Sequence, residues 1–403
     1  MGYKTLQDPQ FAGLGNYDPK ALFAELPTPA YVIDQERLRE NGQVLAALSE
    51  RTGCKVLLAQ KAFSNYDFYP LLAPYLAGTE ASGLYEARLG KEEMPQGEVH
   101  VFCGAYRKDE FEELLQYADH IVFNSIHQLK AFGPRGKQAG KSLGLRINPQ
   151  CSTQEGHAIY DPCAPGSRMG VTRDVWDKEM DEDTLALLDG LHFHTLCEQN
   201  SDDLKTTLQA VEEKFGDILT GMKWLNMGGG HHITRPDYDL AALEDCIRHA
   251  QQAWGVTVYL EPGEAVALNA GYFASRVLDI VENSGTKIAI LDASAACHMP
   301  DVLEMPYQPP ILGADTEPGE GYPFRLAGPT CLAGDVVGDY VFEAELQVGD
   351  QVLFGDMAIY TTCKNNTFNG IPLPDIWRLD RAGNLTRLTQ FGYQDFKMRL
   401  GRP

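Results

Sequence analysis

No two cysteines in this chain of 403 residues lie closer than the twelve-residue step from Cys151 to Cys163. With no Cys-x-x-Cys there is no zinc-finger, haem-attachment or redox spacing. The nine scattered thiols, an odd number, suit a reducing compartment better than a disulfide framework. Nowhere does an apolar run reach the roughly 18 residues of a membrane span. The opening Met1-Gly2-Tyr3-Lys4-Thr5-Leu6 lacks an apolar signal core, and Leu6 replaces the Ser or Thr of a myristoylation site, so a cytoplasmic protein is expected. Basic charge is also scarce. Against 56 Asp and Glu stand 34 Lys and Arg, a formal charge of −22, which repels nucleic-acid phosphates and anionic lipid and attracts small cations. Neither nucleic acid nor membrane is therefore an expected partner. Hydrophobic residues at 44% and charged ones at 22% are ordinary globular usage, and at roughly 150 residues per domain the chain is long enough for two or three domains.

From Lys55 to Glu261 short runs rich in Val, Ile and Leu alternate with amphipathic segments, the pattern of parallel strands joined by helices. Strands are predicted at Lys55 to Ala59, Thr79 to Ala81, Val99 to Phe102, His120 to Phe123, Leu143 to Ile147, Leu191 to His194, Trp224 to Met227 and Val256 to Leu260. Between them, Glu86 to Lys91, Asp109 to Tyr117, Asp202 to Phe215 and Leu240 to Trp254 carry helical spacing. Eight such units predict an α/β fold, a (β/α)₈ TIM-like barrel with reactive groups at the C-terminal strand ends, the rival being a doubly wound open sheet. Beyond Gly263 the texture becomes mostly β, with strands predicted at Tyr272 to Val281, Lys287 to Leu291, Asp339 to Leu346 and Gln351 to Phe354. Pro300 to Pro323 reads as an ordered loop or insertion. One earlier strand, Ala30 to Ile33, fits either domain.

Chemistry gathers at the predicted strand ends. Lys61 follows Val56-Leu57-Leu58-Ala59-Gln60; a solvated lysine is its plain reading, but within a closed mouth desolvation favours an amine nucleophile for the aldehyde of pyridoxal phosphate. The triplet Gly228-Gly229-Gly230 lets the backbone approach a ligand closely and offer N–H groups to a phosphate, though a lone triplet is usually a turn. Glu261, in Glu261-Pro262-Gly263, is either a solvated carboxylate or a counter-ion that keeps a pyridine nitrogen protonated. His192 and His194 share one predicted strand face, with His194 nearer the mouth; no third ligand for a metal is evident, so no metal site is expected.

Taken in this order, these strand ends resemble the alanine-racemase-like, fold-type III pyridoxal-phosphate decarboxylases over nearly the whole chain. Leu58-Ala59-Gln60-Lys61-Ala62, His192-Phe193-His194-Thr195-Leu196-Cys197-Glu198, Cys297-His298-Met299-Pro300-Asp301-Val302-Leu303-Glu304 and Gly328-Pro329-Thr330-Cys331 are most similar to the carboxynorspermidine decarboxylases within that superfamily. The resemblance implies that Lys61 carries pyridoxal 5'-phosphate and that His194 stacks on its ring. It also implies that Gly228, Gly229, Gly230 and Tyr360 contact the phosphate, and that Glu261 pairs with the pyridinium. Cys331 would return a proton after CO₂ leaves. The implied domains are an N-terminal strand segment over 1–34 joined to the β domain, a cofactor-binding barrel over 35–265 and a mostly β domain over 266–403. The implied activity is decarboxylation of carboxynorspermidine or carboxyspermidine to norspermidine or spermidine, in a homodimer whose active sites are shared. Related ornithine and diaminopimelate decarboxylases have Glu-Pro-Gly-Arg where this chain has Glu261-Pro262-Gly263-Glu264. Glu264 thus joins Asp301 and Asp335 as an expected anchor for cationic amines. The alternatives are decarboxylation of another basic amino acid, racemisation, a non-catalytic pyridoxal-phosphate carrier and a non-enzymatic acidic scaffold.

Overall fold

The computed structural model describes residues 2–154 and 161–402 and divides the chain into two compact units, Glu40–Val266 and Met1–Arg39 with Ala267–Pro403. The first is a closed barrel. After β1 (Ala30–Asp34), which belongs to the other unit, its strands are β2 (Lys55–Ala59), β3 (Gly78–Ala81), β4 (Glu98–Phe102), β5 (His120–Phe123), β6 (Ser142–Arg146), β7 (Gly190–His192), β8 (Trp224–Asn226) and β9 (Thr257–Leu260). All neighbours run parallel, and Val56 opposite Leu260 closes the ring from β2 to β9. All eight predicted strands are present, and the helix Leu240–Trp254 has the predicted limits. Strand β7 stops two residues early, so His194 stands in the loop beyond it rather than on the strand face expected for it.

A barrel of eight strands is filled by its own side chains. Here Trp224 is the largest of them, and two glycines make room for it: a Cβ at Gly144 on β6 or Gly190 on β7 would fall inside the indole. The indole N–H donates to Ser142 Oγ at 2.9 Å, so its one polar atom is satisfied. Around it, at the N-terminal end, lies a polar plug. Glu98 accepts from Lys55 Nζ, from Tyr259 OH at 3.0 Å and from the His100 ring at 3.1 Å. Glu98, His100 and His120 offer three ligand atoms within 4.8 Å of one another, the spacing of a metal site. Two features oppose that use. The Lys55 ammonium already sits on the carboxylate, and the two imidazoles stack face to face at 3.9 Å and 13°, which aims their in-plane lone pairs along parallel planes instead of at one point.

In the second unit nine strands form one sheet. They are β1 with β10 (Gly271–Asn283), β11 (Thr286–Leu291), β12 (Ala314–Asp315), β13 (Tyr322–Ala327), β14 (Val336–Phe342), β15 (Gln351–Gly355), β16 (Asp375–Leu379) and β17 (Leu385–Thr389). Strand β1 pairs antiparallel with β10 and parallel with β16, and Phe11, Leu14, Phe23 and Leu26 of the N-terminal segment cover it with Tyr272 and Leu353. Four strands were not anticipated, among them the two-residue β12, which lies in the stretch read as an ordered loop or insertion. Pro323 disguised β13, where it sits opposite Val341, while β16 and β17 are short and carry Arg378 and Arg387 among their apolar positions. The strand expected over Asp339 to Leu346 runs from Val336 to Phe342, because its pairing with β13 starts earlier and ends at Tyr322 opposite Phe342.

Burial, with His100 alongside, pushes the His120 imidazole down to about 3. Its folded value lies below the unfolded one, so the neutral ring contributes stability above about pH 6.5 that is lost as pH falls toward the folded value. His120→Phe keeps the ring stack and removes the proton. The slope of urea-unfolding free energy against pH between 6 and 4 should fall by up to about 1.4 kcal/mol per pH unit. Coincident slopes for the two proteins would reject this account.

Candidate active site

The C-terminal strand ends of the barrel carry an interlocked set of polar groups. Glu261, one residue past β9, is 5% exposed and accepts from Asn226 Nδ2 of β8 at 2.5 Å and from His192 Nε2 of β7 at 3.1 Å. The same Asn226 takes the Gly228 amide on its Oδ1 at 2.9 Å, and the Gly229 amide donates to His194 Nδ1 at 2.9 Å. An imidazole that accepts at Nδ1 keeps its proton on Nε2. Burial, then the charges of Lys61 and Arg146, hold His194 well below the usual histidine range, so the ring is neutral.

The glycine triplet is dictated from inside the protein. Gly228 and Gly230 take left-handed φ values of 71° and 80°, and a Cβ at Gly228 would lie 2.5 Å from Phe193 O. Two of the three amides expected to face a phosphate are those spent on Asn226 and His194.

Two charged residues that the sequence reading passed over complete the mouth. Glu80 on β3 is 3% exposed and its Oε2 has no hydrogen-bond partner; burial, reinforced by the Glu261 charge, raises it to about 8. Arg146, the last residue of β6, lies 4.7 Å over the Phe102 ring and donates to His194 O at 2.9 Å; burial lowers its guanidinium to about 10. Their signal was present, since a charge inside an otherwise apolar barrel strand has to face a partner or a ligand. Burial pushes Glu261 upward too, but His192 and then the charges of His100 and Lys61 more than offset it, leaving Glu261 ionised while Glu80 stays protonated. Lys61, half-buried just past β2, lies close enough for its charge to act on Glu80, His194 and Glu261 together.

Glu264 does not stand free. It lies 3.1 Å from His232 Nε2, and it raises Glu198 toward neutrality as the second cause after burial. The remaining expected residues lie in the sheet unit. Cys331 is exposed, and Tyr360 is half-buried with φ 49°. Asp301 pairs with Lys364, so a protein ammonium already occupies that carboxylate. Asp335 is 2% exposed and accepts from Ser294, Ala296 and Thr330, so its carboxylate is engaged in organising its own loop.

A buried anion at a strand end, a neutral imidazole, a nearby lysine and an orphaned carboxyl oxygen form a site suited to a charged heteroaromatic aldehyde, which is the chemistry of pyridoxal phosphate. The sequence profile of the pyridoxal-dependent decarboxylases, C-terminal sheet domain, matches residues 30–358. The chain is 40% identical to a carboxynorspermidine/carboxyspermidine decarboxylase of Campylobacter jejuni, over 94% of this chain and 100% of that one. It is 38% identical to a carboxyaminopropylagmatine decarboxylase of Synechocystis, over 94% and 96%. The crystal structure of the Campylobacter jejuni carboxynorspermidine decarboxylase complexed with norspermidine superposes with a TM-score of 0.84, covering 93% of this chain and 100% of that one. This chain belongs to the pyridoxal-dependent decarboxylases.

The protonation assignment is testable without cofactor. Glu80 has a folded value above its unfolded one, so from about pH 4.5 to 8 the unfolded chain gives up a proton that the fold retains, and stability falls. Glu80→Gln mimics the protonated acid and removes that slope. Relative to wild type it should gain about 1 kcal/mol or more between pH 5 and 8, read by urea unfolding of the cofactor-free proteins. An unchanged difference at the two pH values would mean that Glu80 is ionised.

Proposed function

We propose that the protein decarboxylates carboxynorspermidine or carboxyspermidine, yielding norspermidine or spermidine, as a cytoplasmic homodimer. The observation that carries this reading is the convergence of Lys61, His194 and Glu261 in one barrel mouth of a chain 40% identical, along almost its full length, to an enzyme of that name. Bound through Lys61, pyridoxal phosphate supplies an electron sink for the bond that loses CO₂. Glu261 keeps the ring nitrogen protonated, and Asn226 with His192 fixes that carboxylate in one orientation. The neutral ring of His194, held by the Gly229 amide, presents a flat face without adding charge. Protonated Glu80 leaves the mouth a single buried anion, so the lysine amine is not locked in an ion pair with it. Tyr360 and, in the glycine loop, the Gly230 amide serve the phosphate, Cys331 returns the proton, and Glu264 attracts the substrate's ammonium groups.

A second substrate deserves a place in the test because of the 38% identity to the carboxyaminopropylagmatine enzyme: a carboxylated polyamine that ends in a guanidinium. Purified protein should be yellow, and borohydride should fix the cofactor on the peptide containing Lys61. Offered carboxynorspermidine, carboxyspermidine, carboxyaminopropylagmatine, ornithine and diaminopimelate, it should turn over the first two best. Loss of one charge-assisted contact costs about 1.5 to 3 kcal/mol, so ornithine should be at least about tenfold poorer in kcat/KM. Comparable use of ornithine would reject the polyamine reading, and a best rate with the guanidino substrate would replace it.

The shared-site proposal draws support from the exposed Leu332 and Phe368, 44% and 45%, beside an exposed Cys331. In a two-fold dimer each chain lends this loop to its partner's barrel. Lys61→Ala and Cys331→Ala proteins should each be impaired. After subunit exchange about half of the dimers are mixed, each with one intact site, so about a quarter of wild-type activity should return. Verified exchange without recovery would place both residues within one chain.

A further inference from the structure

The loop Gly328 to Asp335 between β13 and β14 holds Cys331 by two arms, and both arms hang from the same short helix, Ala295–His298. The first arm is Asp335. Its Oδ1 accepts from Ser294 Oγ at 3.0 Å and from the Ala296 amide at 3.2 Å; its Oδ2 accepts from Thr330 Oγ1 at 2.6 Å and, more loosely, from the Thr330 amide at 3.4 Å. Ser294 caps that helix by accepting from the Cys297 amide at 3.1 Å. Four donors thus compensate a carboxylate that has no ion-pair partner among the described residues. Its closeness also explains Gly328, where a Cβ would meet the carboxylate directly.

Asn369 forms the second arm. Its Oδ1 accepts from the Cys331 amide at 2.8 Å. The residue sits at φ 57°, a left-handed conformation that asparagine tolerates better than most residues but that still costs free energy. What holds it there is the segment before it. The Asn366 amide donates to Cys297 O at 2.9 Å, Asn366 Nδ2 donates to Ala296 O at 2.8 Å, and Asn366 Oδ1 accepts from the Phe368 amide at 2.9 Å. The chain is fixed at Thr330 from one side and at the Cys331 amide from the other, while the thiol itself stays exposed and free.

We infer that Asn369, together with Asp335 acting through Thr330, is a positioning residue for Cys331, aiming the thiol so that its proton reaches the carbon that has just lost CO₂. A proton delivered to one face of one carbon needs a donor held in a narrow range of positions, and an exposed side chain on an eight-residue loop has no such restriction unless its backbone is tied. The inference rests on the role proposed for Cys331, and the strain at Asn369 is its structural signature.

The test compares Asn369→Gly, which permits the same φ without the acceptor, with Asn369→Asp, which restores an acceptor oxygen. Thr330→Val and Thr330→Ser form the matching pair on the other arm. In the purified holoenzyme, Asn369→Gly and Thr330→Val should each lower kcat by about five- to tenfold, with KM, cofactor absorbance and melting temperature close to wild type. Asn369→Asp and Thr330→Ser should recover most of the loss. The rate at which iodoacetamide labels the Cys331 peptide, read by mass spectrometry, should change severalfold in the first pair and not in the second. Wild-type kcat and labelling in Asn369→Gly and Thr330→Val would overturn the inference. So would losses that follow melting temperature or cofactor content and are not rescued by the conservative variants. If Cys331→Ala itself turns over normally, the acid role of the cysteine fails; if Cys331→Ala is impaired and Asn369→Gly is not, the cysteine role stands and the clamp fails.

Discussion

The grip on Glu261 is the constraint from which the rest of the barrel mouth follows. A carboxylate almost fully withdrawn from water survives as an anion only when strong donors face it. Here the donors come from Asn226 on the neighbouring strand β8 and from His192 on β7, one strand further round the barrel. Because Asn226 also receives the Gly228 amide, the hydrogen bond that orients the carboxylate fixes the start of the glycine loop as well. The next amide in that loop orients His194. One anion therefore sets the ring face and the loop path, and it bears on the protonation of the opposing Glu80. Burial raises Glu80 first, and the charge on Glu261 adds to it.

The two ends of the barrel spend their buried charge differently. At the N-terminal end Lys55, Glu98, Tyr259 and His100 satisfy one another, and nothing is left to offer a ligand beyond ring nitrogens locked in a stack. Atoms without partners remain at both ends: His100 Nδ1 and His120 Nδ1 in the stack, Glu80 Oε2 and His192 Nδ1 at the C-terminal end. Buried polar atoms left without partners are costly, and at the C-terminal strand ends a bound ligand would supply the missing ones.

Much of this was legible from the sequence, and what was not has identifiable causes. The barrel strands announced themselves because parallel strands covered on both faces need apolar runs, and four of the eight led into chemistry-bearing residues, Lys61, His194, Gly228 to Gly230 and Glu261. Lys61, His194 and Glu261 could be singled out by strand-end position taken together with the family resemblance, since each alone has a plainer reading. Glu80 and Arg146 escaped because their strands were read for apolar content, so the lone charge in each was passed over. Asp301 and Asp335 read as amine anchors in the sequence, which does not reveal that Lys364 reaches the first or that Ser294 and Thr330 enclose the second. Lys364 lies 63 residues from Asp301 and Ser294 lies 41 from Asp335, although Thr330 is only five away. In the sheet unit, β13 was hidden by a proline, and β16 owes its place to pairing with β1, more than 300 residues earlier in the chain.

The indole of Trp224, lodged where Gly144 and Gly190 have no side chains, gives the barrel mouth a solid floor. A longer ligand cannot be accommodated by sinking deeper, because the indole occupies the space left by Gly144 and Gly190. Any ruler that distinguishes a three-carbon from a four-carbon spacer between amines therefore lies in the loops.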